Sequence, residues 1–175
     1  RDLIAEGDIR HWIPEVVATY GELALWHAAR AGGFGGSQIG VLVKNYLGER
    51  ADHEASAHDV VAGALLRKLP DEPNGHMRRG IAMEPQHRRW FLDKYGCDRD
   101  EAGFKLLSKS IGPSPWMRYS PDDMVFMDGR RVLIDYKAPS SVDSKSAVSF
   151  QYVCQLHMGR AICEYNGLQI DGLML

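Results

Sequence analysis

The sequence predicts an α/β domain: a mixed central sheet flanked by helices, with a helical N-terminal elaboration. Three observations carry this reading. The 175 residues are 45% hydrophobic and 25% charged, a mixture that suits one globular domain and rules out disordered, collagenous and coiled-coil chains. Up to Gly96 the apolar residues recur at helical spacing, and beyond it the texture is that of strands. Asp128-Gly129, set between two apolar runs, is a strong hairpin signal. One unit over 1–175 is expected, with 1–72 as the helical part and 75–175 as the core. At this length roughly two thirds of the extended-chain surface can be buried, so the core needs no disulfide or zinc.

Taken in order, Pro14 is tolerated in a first turn, and Val16, Val17, Tyr20, Leu23, Ala24 and Trp26 follow at near-helical spacing, predicting a helix over about 13–30 that Gly32-Gly33 ends. Ser37 is expected to cap a short helix through about Lys44, and 57–69 reads as a helix running into Pro70. Residues 71–75 read as a loop, and 76–95 as a helix that Pro85 either kinks or truly begins. Strands are expected over 104–111, 117–127 and 132–137, then a helix over about 147–163 and a closing strand near 168–175.

The charge balance, 21 Lys and Arg against 23 Asp and Glu for a net −2, lacks the footprint of a strongly basic nucleic-acid binder. A nuclease escapes that argument, because it gathers carboxylates around metal and sets its arginines elsewhere. Cys97, Cys154 and Cys163 form no C-x-x-C pair and read as free thiols in a reducing compartment. The start is no signal peptide and no uncharged apolar run reaches bilayer length, so no membrane partner and a cytoplasmic location are expected. The lack of an initiator Met and the apolar end at Leu175 lead us to expect further residues at both termini.

The chemistry concentrates after the hairpin turn. Asp135 and Lys137 lie two apart on an expected strand, so both project from one face, roughly 7 Å apart, while Tyr136 points the other way. The partner strand brings Pro121-Asp122 alongside, giving P-D and then D-x-K. Two converging carboxylates repel unless one is protonated or a cation joins them, and Mg²⁺ suits oxygen ligands and keeps waters for chemistry. Asp122, Asp135 and the Tyr136 backbone carbonyl are the expected ligands of one or two Mg²⁺ ions, with Mn²⁺ also acceptable, and Glu84 as a further ligand. Lys137 would orient or deprotonate the attacking water. The alternative is a solvated face, with Asp122 capping a turn after Ser120-Pro121 and Asp135 and Lys137 an exposed pair.

A second feature is Arg30 followed by Gly32-Gly33-Phe34-Gly35-Gly36-Ser37. Glycines let backbone approach an anion, the helix after Ser37 offers free N–H groups, and Arg30 adds a bidentate contact, a design suited to a terminal phosphate. Ordinary turn punctuation is the competing reading. His157 is expected to be a satisfied core histidine, Trp90 to pack, and Gln155 either to pair with Gln151 or to serve phosphate. Arg88 and Arg89 line a DNA channel or a solvated face.

Four blocks in order resemble the lambda-exonuclease or YqaJ-like group of phage recombination nucleases, within the PD-(D/E)xK superfamily. They are Trp26 to Arg30 with Gly35-Gly36-Ser37; Gly80-Ile81-Ala82-Met83-Glu84 leading to Trp90-Phe91; Ser120-Pro121-Asp122 with Asp135-Tyr136-Lys137; and Tyr152-Val153-Cys154-Gln155. The resemblance implies a restriction-endonuclease-like core and a Mg²⁺-dependent exonuclease degrading one strand of linear duplex DNA from its 5′ end. It further implies a ring-shaped trimer working with a single-strand annealing protein, in the cytoplasm of a bacterial or phage-infected cell. Carried over by position, Asp122, Asp135 and Lys137 are catalytic with Glu84 assisting, and Arg30, Ser37, Ser120 and Gln155 form the 5′-phosphate pocket. Asp123 stands where the family usually has Gly, which leaves open which aspartate meets the metal, and Asp135 stands for the commoner Glu. A restriction-like endonuclease on the same core and a catalytically inactive DNA-binding subunit are the alternatives.

Overall fold

The computed structural model describes residues 31–49, 56–65, 67–68, 74–107, 112–138 and 148–175. The expected helix over 13–30, and Arg30 with it, lies outside them. Among the described residues the order is α1 (Gly36–Tyr46), α2 (Ala57–Ala64), α3 (Gly75–Tyr95), β1 (Asp98–Arg99), α4 (Glu101–Leu107), β2 (Asp123–Met127), β3 (Arg130–Ile134), α5 (Phe150–Tyr165) and β4 (Gly172–Met174). The strands lie side by side in that numerical order; β1, β2 and β3 pair antiparallel and β3 with β4 parallel. No helix among them is long and apolar enough to cross a membrane.

The sheet is built around one turn. Asp128 and Gly129 both take positive φ, 51° and 74°, as a two-residue hairpin requires, and this sets the register at Met127 opposite Arg130 and Asp123 opposite Ile134. Alternation along β2 and β3 then sorts the side chains. Met124 and Leu133 face one side, where Leu156, Ile162 and Cys163 of α5 bury them; Val125, Val132 and Ile134 face the other, against Phe91 of α3. Helices therefore cover both faces, as an α/β core demands.

Several local expectations fail for identifiable reasons. The stretch from Phe104 is not a strand: Asp100 accepts from the Gly103 N–H at 2.9 Å and starts α4 instead, and Phe104 and Leu107, three apart, share its inner face. The strand expected over 117–127 begins only at Asp123, and the one over 132–137 ends at Ile134. Gly35, not Ser37, caps α1, with the Gln38 side chain returning to the Gly35 N–H at 2.9 Å. The helix expected over 57–69 stops at Ala64. α3 starts at Gly75, capped by Asn74, and runs unbroken through Pro85 to a left-handed Gly96. β1, only two residues long, was not foreseen.

α1 lies close on α5 because α1 carries glycine at the crossing, and α5 lies close on Tyr119 and β3 because it carries Gly159 there. A Cβ on Gly40 would come within 2.8 Å of the Gln151 Cα, and one on Gly159 within 2.5 Å of the Tyr119 ring and 2.8 Å of Leu133. Gly159→Ala should therefore cost about 1–3 kcal/mol by overpacking, whereas Gly80→Ala, in open space within α3, should add about 0.5–1 kcal/mol. Urea denaturation of the two variants beside wild type checks both signs.

Candidate active site

The parity that sorts the core also sorts the site. Asp123 shares the face of Val125 and is fully buried toward α3. Its carboxylate accepts from Arg88 Nε at 3.1 Å, Arg99 Nε at 2.6 Å, the Tyr136 hydroxyl at 3.2 Å and the Met124 N–H at 3.0 Å. Arg88 also donates to Glu84 at 2.8 Å and to the Asp122 carbonyl at 2.7 Å. Asp123 is thus committed four times over, and Arg88, expected on a DNA channel or a solvated face, is committed with it. Tyr136, on the same face, has its hydroxyl pushed well above the usual range by burial and by Asp123.

Asp122 goes the other way. The ladder that pairs Asp123 with Ile134, carried one residue further, sets Asp122 opposite Asp135, beyond the last strand residue. Like charges facing across strands repel. Burial first, then the Asp135 carboxylate and then Glu84 push the Asp122 carboxyl up to about 7, against the pull of the Tyr136 N–H that it accepts at 2.7 Å. Geometry separates the neighbouring aspartates: Asp122 faces Asp135, and Asp123 anchors the fold.

α5 completes this side. Gln155 Nε2 donates to Asp135 Oδ1 at 2.9 Å, its Oε1 accepts from Lys137 Nζ at 3.3 Å, and Lys137 forms an ion pair with Asp135 Oδ2. The Lys137 ammonium also sits 4.6 Å from the Tyr152 ring centroid, a cation–π contact that sequence reasoning missed; Tyr152, three residues before Gln155, is exposed on the same helix. Gln155 therefore pairs with Asp135 and Lys137 and not with Gln151. His157 is exposed, contrary to the core role expected of it.

Asp135 is 1% exposed, and its Oδ2 meets Lys137 by charge alone without a well-aligned hydrogen bond. A buried carboxylate oxygen with a free lone pair, facing a second acid whose ionisation its neighbours oppose, fits a hard cation. The donor set is small. No group of three or more His, Cys, Asp or Glu side chains is arranged to hold a metal among the described residues, and Glu84 is held by Arg88 although its charge reaches Asp122. Such a pair suits Mg²⁺, which keeps several waters and takes one or two carboxylates.

Of the residues expected around a 5′-phosphate, the structure brings three near one another. A Cβ on Gly36 would come within 2.9 Å of both the Gln155 side chain and the Tyr119 ring, so the exposed Ser37 follows a residue packed on Gln155, and Ser120 follows Tyr119. Arg30 lies outside the described residues.

The sequence profile of the YqaJ-like viral recombinase domain matches residues 25–166, which takes in every element from α1 to α5. The chain belongs to this family. Neither a curated protein nor a solved structure matches it. The YqaJ-like domain is a viral recombination nuclease on a restriction-endonuclease-like α/β core, and the paired carboxylates with Lys137 sit where its sheet opens between β2 and β3.

In this YqaJ-like chain the two aspartates have opposite effects on stability. Asp123→Asn strands two guanidiniums and should cost about 3 kcal/mol. For Asp122, with divalent ions chelated, the native carboxyl binds its proton up to about pH 7 while the unfolded one releases it near 3.8, so wild-type stability falls as pH rises through that window. Asp122→Asn removes the effect and should be about 1–3 kcal/mol more stable than wild type above pH about 7, converging with it near pH 4. Chemical denaturation across that range tests both variants.

Proposed function

We propose that the protein is a Mg²⁺-dependent exonuclease that digests one strand of linear double-stranded DNA from the 5′ end for phage-type recombination. It works as a homotrimer with a single-strand annealing protein. The observation that carries this reading is the Asp122–Asp135 pair, half-buried and buried respectively, with Lys137 held against it by Gln155 and Tyr152, beside the N-terminus of α1. The family match supports the nuclease; 5′ polarity, the trimer and the annealing partner follow the family resemblance of the four sequence blocks.

Asp122 and Asp135 would hold the ion, with the Tyr136 carbonyl as the third expected protein ligand. Mg²⁺ held there would supply Lewis-acid polarisation of the scissile phosphate. The chain's own residues do the rest. Gln155 ties the Asp135 carboxylate to the Lys137 ammonium, so base and ligand share one orientation, and the Tyr152 face limits where that ammonium swings. Lys137 orients the attacking water and offsets the charge that grows on the phosphate oxygens. Asp123 with Arg88 and Arg99 holds the start of β2 rigid, so that Asp122 keeps its place. Ser37, Ser120 and the free N–H groups of α1, with Arg30, receive the terminal phosphate, which an internal phosphodiester cannot present as a dianion.

Linear duplex carrying a 5′-phosphate at one end and a hydroxyl at the other, run beside closed circles, tests the whole reading. Wild type should degrade the phosphorylated strand only with Mg²⁺ and spare circles; Lys137→Ala should lose about 10²- to 10⁴-fold in rate. Cut circles would assign a restriction-like endonuclease, and intact DNA in every lane an inactive DNA-binding subunit.

A further inference from the structure

On the α3 side of the sheet lies an open cavity of about 230 Å³, walled by His87, Trp90 and Phe91 of α3, by Ile134, Tyr136 and Lys137 at the end of β3, and by Leu175 after β4. Lys137 is common to this cavity and to the acidic pair. Trp90, expected to pack, is 58% exposed, and the Lys94 ammonium stands 4.4 Å from its ring centroid. The walls are apolar and aromatic, the Lys94 ammonium stands beside Trp90, and Lys137 contributes to the wall while its ammonium turns to Asp135 and Gln155. We propose that this cavity takes the nucleobase of a nucleotide adjoining the scissile phosphate, with Trp90 as its stacking face. The proposal rests on the nuclease reading for the position of that phosphate, since Lys137 is the group that would meet it.

Size, charge and position converge on this occupant. Sites for drug-sized ligands run to about 300–1,000 Å³, so the cavity admits a ring system and not a whole nucleotide. An aromatic face beside basic side chains is the combination that holds single-stranded nucleic acid, the ring taking the base and the cations the backbone. Glu84, whose charge reaches Asp122, and His87 and Trp90 of the cavity wall all lie on α3, so one helix reaches from the acidic pair to the cavity. Phe91 and Tyr136 are not free to stack in its place. Phe91 is buried, their rings meet edge-on at 6.0 Å, and the Tyr136 hydroxyl is spent on Asp123.

Ligand-detected NMR with the full chain tests the cavity without requiring cleavage. Deoxyadenosine monophosphate should bind, with saturation reaching its base protons, and deoxyribose 5-phosphate should bind about tenfold more weakly or not at all. Trp90→Leu should lose about tenfold in affinity for the nucleotide and Trp90→Phe should keep most of it. The exposure of Trp90 makes both variants safe for the fold. Equal binding of the two probes, no binding of either, or an unaffected Trp90→Leu would overturn the proposal.

Cleavage provides the second arm. An abasic residue at the first or second position from the 5′ end should slow wild type about tenfold at one of the two positions and slow Trp90→Leu no further there. Independent, multiplying losses would count against the cavity. A wild type that cuts no DNA would sink the nuclease reading, and the binding experiment would still decide this one.

Discussion

The buried Asp123 carboxylate is the point on which this site depends. It has no exposed surface, and Arg88 from α3, Arg99 from β1 and the Tyr136 hydroxyl beyond β3 all converge on it. A lone carboxylate at that depth would be expensive, and two guanidiniums with aligned hydrogen bonds offset the cost. The consequence is positional. Two elements and the chain after β3 are pinned around the first residue of β2, and Asp122, one residue earlier, inherits that rigidity while pointing to the opposite face. The Asp123 charge is absorbed by the fold on the side away from the acidic pair.

The acidic pair shows the reverse economy. Asp122 and Asp135 face each other with, among the described residues, Lys137 as the cation ion-paired to them, since Arg88 is already shared between Glu84 and Asp123. The site is kept in tension, stable when a proton or a cation joins the pair. A pair held in place by its neighbours in this way is preorganised, with no side chain to be moved before a proton or cation joins it. Small residues let α1 come close, because Gly36 and Gly40 allow it to lie on α5 and Tyr119 and thereby bring the start of α1 to Gln155.

Much of this was legible in the sequence, for local reasons. The Asp128-Gly129 turn needs no tertiary help: both residues tolerate positive φ, and a two-residue hairpin that pairs 127 with 130 also places 122 opposite 135. The spacing of Asp135 and Lys137 survived even though the strand ends before them, because extended chain alternates whether or not it is laddered. The helix of α4 was missed because Phe104 and the residues after it read equally well as a strand; the Asp100 cap was the signal, and its worth came from Arg131, which secures the same carboxylate at 2.7 Å from across the sheet.

By itself, then, the sequence determined the α/β class, the hairpin and its register, and the acid and lysine that share one face, since each depends on residues near in number and on backbone geometry that every chain obeys. Only the tertiary structure decided which of two adjacent aspartates faces Asp135 and which is buried among arginines, that Gln155 bridges Asp135 and Lys137 in place of pairing along its helix, and that Trp90 stands exposed on α3. Those outcomes turn on which side chains arrive: Arg88 and Arg99 for Asp123, α5 for Gln155, and for Trp90 only its helix neighbours Lys94 and Tyr95 among the described residues in ring contact. No spacing along the chain encodes the arrival of partners 20 to 35 residues away.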